Sequence, residues 1–282
     1  TATVPIVTAM IVPPALRETL LNVVKIMPAS PGILAQLGQL LLDLNSDLTG
    51  IAEMLKRDAS LTARIIRISN SATYNTGQPY DSIEGALARV GFTEVYRLAG
   101  FAAVTQLCDQ RLPFYRLAGA RLRENALLSA LVMEALAGPA QLDSRMAYTA
   151  GLLRSIGKIA LDRMTTEVLP ECGGLADWEK AVVGVNNCEA AAIVLNEWRF
   201  PTDTVDGIRD HYLIEPGGSS LAHVLNLAAG CAERGGHGLP GESLYWEITP
   251  EKLSAARVEE RDVDAALTTA LSTFDAVRAA VA

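Results

Sequence analysis

One pattern recurs along the sequence and constrains it more than any other feature. Apolar residues fall three or four positions apart, in runs closed by Gly, Pro, Ser or Asp. In SLTARIIRISNSA, Leu61, Ile65 and Ile68 sit at i, i+4 and i+7, one face of a helix. Ser30-Pro31 reads as an N-cap followed by an N1 proline, with Ile33, Leu34, Leu37 and Leu41 behind it at helical spacing. Thr49 opens a helix with Ile51, Met54 and Leu55 on one face, and Ser60 opens the next. Asp81 with Glu84 resembles a capping box, and Gly91 closes that short helix before TEVYRLAGFAAVTQL begins another. After a break at Arg111 to Pro113, a long amphipathic helix is expected from about Tyr115 to Ala137, stopped by Gly138-Pro139. SRMAYTAGLLRSIGKIALDRM, ADWEKAVVGV, NCEAAAIVLNEW, TDTVDGIRDHY, SLAHVLNLAAGCAERGG and VDAALTTALSTFDAVRAAVA read as further helices. No alternating run marks a strand, and no repeat has a fixed period. The fold class is therefore all-α, with a seam near residues 109–115.

Composition narrows the function classes. Half of the 282 residues are hydrophobic, enough for a sizeable core, and aromatics are only 5%, which suits helix-on-helix packing. A net charge of −8 disfavours nucleic acid or an anionic membrane as a partner through the overall field. No apolar run reaches the roughly 18 residues of a membrane span. Residues 1–16 are uncharged, contain three prolines and lack a basic segment, so they do not read as a signal peptide. A first residue other than Met leaves room for an upstream domain. Cys108, Cys172, Cys188 and Cys231 form no CxxC, and they read as reduced, mostly buried thiols of a cytoplasmic protein.

Local motifs for chemistry are few. His211 reads as a residue at a helix C-terminus, interacting with the dipole, or as the remnant of a pocket. His223 and His237 lack partners at metal spacing, and His237 lies in the loop RGGHGLPG. PGGSS and RGGHG lack the strand-to-helix setting and the Lys of a phosphate loop, and no nucleophile–base pair is apparent. Two short helices joined by DAS, with Arg64 and Arg67 on the second, superficially resemble a helix-turn-helix, and Arg111, Arg116, Arg121 and Arg123 add positive charge. The turn has no glycine and the second helix is strongly apolar, so nucleic acid is not an expected partner.

MPASPGILAQLGQLL, LKRDASLTARIIRISNSATYN and SIEGALARVGFTEVYRLA, followed by AYTAGLLRSIGKIAL, NNCEAAAIVLNEWRFP and IRDHY, together resemble HDOD domains from about Leu20 to Gly235. These are bacterial signalling modules related to HD-type phosphohydrolases. The resemblance implies a two-lobed helical fold. Residues 1–16 would be a tail, 17–110 the N-terminal lobe, 111–235 an HD-like lobe and 236–282 a C-terminal extension. It also implies where metal ligands would fall. The family's first helical His lies near Glu124, its His-Asp pair falls on Arg154 and Ser155, and later positions fall on Asn187, His211, Asn226 and Ala229. Only His211 keeps a good ligand, and a guanidinium at Arg154 opposes a metal rather than binding it. Either Arg154 pairs with Glu124 in its place, or one or both side chains reach solvent and never meet. Arg64, Asn70, Ser71 and Tyr74 would lie near the lobe junction. The implied protein is non-catalytic and needs no cofactor. It acts through contacts with signalling proteins: a kinase, a response regulator or a cyclic-dinucleotide enzyme. The alternatives are a sensor of nucleotides such as cyclic dinucleotides or a residual phosphohydrolase using the old pocket, with a DNA-binding regulator less favoured.

Overall fold

The computed structural model describes residues 12–27, 33, 35–36, 48–70, 77–79, 81–108, 110–169, 174–212 and 218–281. Ser30, Pro31, Leu34, Leu37, Leu41, Ser71, Tyr74 and Cys172 lie outside the described residues. Every regular element among the described residues is helical, and the single β-bridge joins Leu112 to Leu117. No described helix is long and apolar enough to cross a membrane.

Helices α2 (Leu48–Lys56) and α3 (Ala59–Ser69) pack against α4 (Ile83–Leu107). Leu55, Leu61 and Ile65 are buried there, the apolar face that the spacing marks out. The cap of α3 is Asp58, which accepts from the Leu61 N–H at 2.9 Å, rather than Ser60. Likewise Ser82, not Asp81, caps α4 by accepting from Gly85 N–H. Gly91 does not end that helix. Its φ of 79° bends the helix, which then runs on to Leu107. Helix α1 (Pro14–Ile26), which the sequence reading groups with the N-terminal lobe, lies against the helices Ile156–Asp162 and Asn187–Glu197 of the second group.

That second group is centred on α5 (Gly119–Ala137). It starts four residues later than Tyr115, because Pro113–Tyr115 form a 3-10 turn closed by paired backbone bonds between Leu112 and Leu117. Around α5 lie α6 (Ser144–Leu153), α11 (Ser220–Ala232) and α13 (Glu260–Val281). Helix α7 (Ile156–Asp162) packs on α9 (Asn187–Glu197), which in turn meets α10 (Thr202–Asp210); α8 (Leu175–Val183) and α12 (Pro250–Ala256) complete the set. The single helix expected through GLLRSIGKIAL is two, α6 and α7, divided at Arg154-Ser155. Both of its glycines are required by close approach. A Cβ at Gly151 would lie 2.6 Å from the Ala130 Cα of α5, and one at Gly157 would overlap the Asn187 carbonyl of α9. These contacts press the Arg154 and Lys158 backbone between two neighbouring helices. There is no solvent-facing side for their charges.

Candidate functional site

The turn between α6 and α7 delivers Arg154 into the interior, and one helical turn later α7 delivers Lys158; both are fully buried. Burying a charge this way is costly unless it is paired and hydrogen-bonded. The pairing partner is Glu242, which is 0% exposed and reaches in from the segment after α11. Arg154 Nη2 donates to Glu242 Oε2 at 2.9 Å, and Nη1 donates to Oε1 at 3.4 Å. The Lys158 ammonium lies 3.0 Å from Glu242 Oε1. Arg154 Nη2 also donates to Asn125 Oδ1 at 2.8 Å, and Nε to Ser129 Oγ at 3.4 Å. The polar residues of α5 thus complete the guanidinium's set of acceptors.

Tyr212 links this cluster to a second carboxylate. Its hydroxyl donates to Glu242 Oε1 at 2.7 Å and accepts from Lys158 Nζ and Asn187 Nδ2, each at 3.2 Å. Asn187 then donates to Glu179 through its backbone N–H at 2.8 Å and through Nδ2 at 2.9 Å, while the Tyr115 hydroxyl donates to Glu179 at 2.7 Å. The cations also face aromatic rings. Arg154 Cζ is 5.4 Å from the Trp246 centroid, and Lys158 Nζ is 4.9 Å from that of Tyr115. Two buried cations and two buried carboxylates result, joined through Tyr212 and Asn187.

The electrostatics follow. Burial alone would raise the Glu242 carboxyl, but the charges of Arg154 and Lys158, with hydrogen bonds from Arg154 and Tyr212, hold it at about 2. Burial pushes the Tyr212 hydroxyl well up, and the Glu242 charge adds to it. Burial and then Glu179 do the same to the Cys188 thiol. His211 is pushed down to about 3 by burial and by the Arg154 charge. Its Nδ1 lies 2.7 Å from the Ile208 carbonyl and must donate to it, so Nε2 is a bare acceptor.

The Arg154–Glu124 pair does not form. Glu124 lies at the edge of the lobe, its side chain 29% exposed, and meets His237 Nδ1 at 3.2 Å. Glu242 takes its place because it approaches the Arg154 turn from inside the core, whereas Glu124 lies outward of Asn125 on α5. His237, expected to lack partners at metal spacing, meets Glu124 and also packs on Phe274 of α13. His223 Nδ1 lies 3.1 Å from the Ala255 carbonyl. Ser155 is buried next to Arg154, yet its hydroxyl has no partner. Asn187 belongs to the charged cluster itself. Asn226 does not: its Nδ2 donates to the carbonyls of His211 at 2.8 Å and Tyr245 at 3.2 Å. Ala229 is buried in α11 and brings no polar atom. Arg64, in the middle of α3, and Asn70, just past its end, are half-buried.

Sequence reasoning missed Lys158, Glu179, Glu242, Tyr212, Tyr115 and Asn125. Lys158 could have been found, because it stands alone among apolar residues in SIGKIAL, where a buried face is already expected. Glu242 carries no such signal in GLPGESLYW.

The site does not fit a divalent metal ion. Its centre holds an arginine and a lysine, and the carboxylate nearest them is shared by both. Among the described residues, no group of three or more His, Cys, Asp and Glu side chains is arranged to hold one.

The HDOD domain family profile matches residues 27–214. Among curated proteins, none matches the sequence. An HDOD domain protein of unknown function from Geobacter sulfurreducens shares the fold with a TM-score of 0.72 at 20% identity, over 95% of this chain and 96% of that one. A protein from Shewanella amazonensis SB2B, named as a candidate phosphohydrolase, superposes with a TM-score of 0.65 at 22% identity, over 94% of this chain and 98% of its own. A candidate signal-transduction protein from Marinobacter aquaeolei VT8 gives 0.65 at 18% identity, over 94% of this chain and 64% of its own. At these identities the likeness is one of fold. The profile match covers most of the chain and includes α7, α9 and α10, which carry Lys158, Asn187 and the approach to Tyr212; the chain is a member of the HDOD domain family.

Proposed function

We propose that this HDOD protein is a signalling module without hydrolase activity, acting by contact with other signalling proteins. The observation that carries this reading is the Arg154–Glu242–Lys158 cluster. Metal-dependent hydrolysis needs a cation that lowers the pKa of a bound water and takes up phosphoryl charge. Here two protein cations occupy the centre, and the carboxylate beside them is already shared between them. A metal brought to this cluster would be repelled by both cations and would find Glu242 engaged. What this arrangement supplies is a rigid core that presents the outer faces of the helices in a fixed geometry. The signal-transduction name carried by the Marinobacter protein of the same fold is consistent with that use. Kinases, response regulators and cyclic-dinucleotide enzymes are the partner classes we favour, and the acidic surface directs attention away from nucleic acid.

Metal analysis of the purified protein after dialysis against Mn2+, paired with a phosphodiesterase assay, tests the first half. The expected result is no stoichiometric metal and no turnover. Metal near one equivalent, with activity lost on chelation, would overturn it. Pull-down of the full-length protein from its native cell tests the second half, with recovery of a signalling protein expected.

A further inference from the structure

Glu242 behaves as a ligand does. Its carboxylate receives four donors from helices of the lobe: Arg154 Nη1 and Nη2, Lys158 Nζ and the Tyr212 hydroxyl. The residue comes from outside the span that the family profile matches, on a segment of different character. Residues 235–241 read GGHGLPG, and Gly236 and Gly241 hold φ values of 83° and 77° that favour glycine. The segment also inverts the usual order of burial. It hides a carboxylate completely while Leu244, two residues on, is 76% exposed.

Three further observations point the same way. The four donors fall unevenly on the carboxylate, three on Oε1 and one on Oε2. The nearest cations carry two positive charges against the one negative charge of Glu242, and Glu179 stands one residue further back, behind Asn187 and Tyr212. Where the same segment meets the lobe, three buried atoms have no hydrogen-bond partner: Trp246 Nε1, His211 Nε2 and Asn226 Oδ1. The same segment thus covers three polar atoms that find no partner within the protein.

We propose that the pocket of Arg154, Lys158 and Tyr212 is a binding site for a dianionic phosphoryl group. Glu242 is its resident internal occupant, and the ligand displaces residues 238–246. A phosphoryl group offers three terminal oxygens to the same donors and matches both cations in charge. Arg presents its fork to such a group in the same bidentate manner it uses for Glu242. Displacement moves Leu244 and Trp246 with Glu242, which turns occupancy into a change of surface. This rests on the signalling reading above, for which it supplies an input.

The test uses the full chain, with Glu242→Gln beside the wild type. The probes are inorganic phosphate, phosphoserine and dimethyl phosphate, each against sodium chloride at matched ionic strength. Inorganic phosphate is expected to raise the melting temperature of Glu242→Gln by several degrees beyond chloride, and to bind it about tenfold or more tighter than it binds the wild type, whose own carboxylate competes. Phosphoserine tighter than inorganic phosphate marks a phosphorylated molecule as the source, and the reverse marks free phosphate; both support the site. Dimethyl phosphate, a monoanion, is expected to bind at least about tenfold more weakly than phosphoserine. Equal binding of the two, or a folded Glu242→Gln that answers phosphate no differently from chloride, overturns the proposal. If Glu242→Gln does not fold, hydrogen exchange of the wild type decides: phosphate must speed exchange in residues 238–246 and leave α5 unchanged, and no change there refutes the site. Turnover of a phosphodiester with added metal would defeat the signalling reading and leave this binding result standing. Failure to bind phosphate would leave that reading intact.

Discussion

Two buried polar regions meet beneath residues 238–246, and they are completed differently. Around Arg154, each guanidinium nitrogen has an acceptor and both Glu242 oxygens have donors. Around His211, the ring stacks on Trp246 at 5.9 Å, and Asn226 ties the His211 and Tyr245 carbonyls together, yet three polar atoms have no partner. The first region consists of full charges, and an unmatched charge in the core is among the most expensive defects a fold can carry. The second consists of an imidazole, an indole and an amide, whose unmatched atoms cost about 1–3 kcal/mol each. The same segment closes both regions, and the charged one dictates how it sits. The aromatic one fits around the result.

The comparison breaks most visibly at Glu242. Glu242→Ala leaves Arg154 and Lys158 buried without their carboxylate. It should cost about 3–5 kcal/mol, read from the urea midpoint at unchanged slope. A loss under about 1 kcal/mol would mean that the cluster reaches water when its anion goes.

Acid separates the two regions by their titration. His211 is held at about 3, below its ordinary 6.5, so the unfolded chain takes up a proton first and stability falls as pH drops from about 6.5 towards 3. Glu242 is held at about 2, below its ordinary 4.5, so its contribution is complete above 4.5 and is lost as pH falls through that value towards 2. From pH 7 to pH 4 the His211 side should dominate, with a loss on the order of 3 kcal/mol. His211→Gln should flatten urea midpoints across that window and leave the steeper loss below pH 4.5. An unchanged profile would show that His211 is not kept neutral by its surroundings.

Smaller effects sharpen the contrast. Trp246→Phe removes an N–H that has no acceptor, so the lost packing is partly offset and the cost should stay near 1 kcal/mol. A cost approaching that of Glu242→Ala, measured in the same urea titration, would contradict the distinction between the regions. Glu124→Ala should matter least, at about 0.5 kcal/mol, because the Glu124–His237 contact is partly exposed. Thermal melts of that variant beside the wild type would check it.

The helices were legible because their signal is local. Apolar spacing marks the face that α3 buries, and Gly138-Pro139 marks the end of α5, but α5 is not the amphipathic helix expected, being buried on every side from Asn125 to Met133. Starts were less legible. Asp58 and Ser82, each near another good capping residue, took the caps expected at Ser60 and Asp81. The division at Arg154-Ser155 was hidden because the apolar spacing continues across it. The helices part where Gly151 must meet α5 and Gly157 must meet α9, and one straight helix would not serve both contacts. Of the candidate site, Arg154 and Asn187 do meet within one polar network, but Glu124 and Ala229 contribute nothing to it.

By itself the sequence determined that this chain would be all-α and that it would resemble HDOD domains. Those properties are written in spacing and in residue identity at single positions. Only the tertiary structure decided what answers Arg154. The answering carboxylate, Glu242, lies 88 residues away in a glycine- and proline-rich segment with no pattern of its own. A buried charge demands an opposite charge, but the demand is met in space. Which acid meets it depends on how α5, α6, α7 and α11 pack, and on where the chain turns back across them.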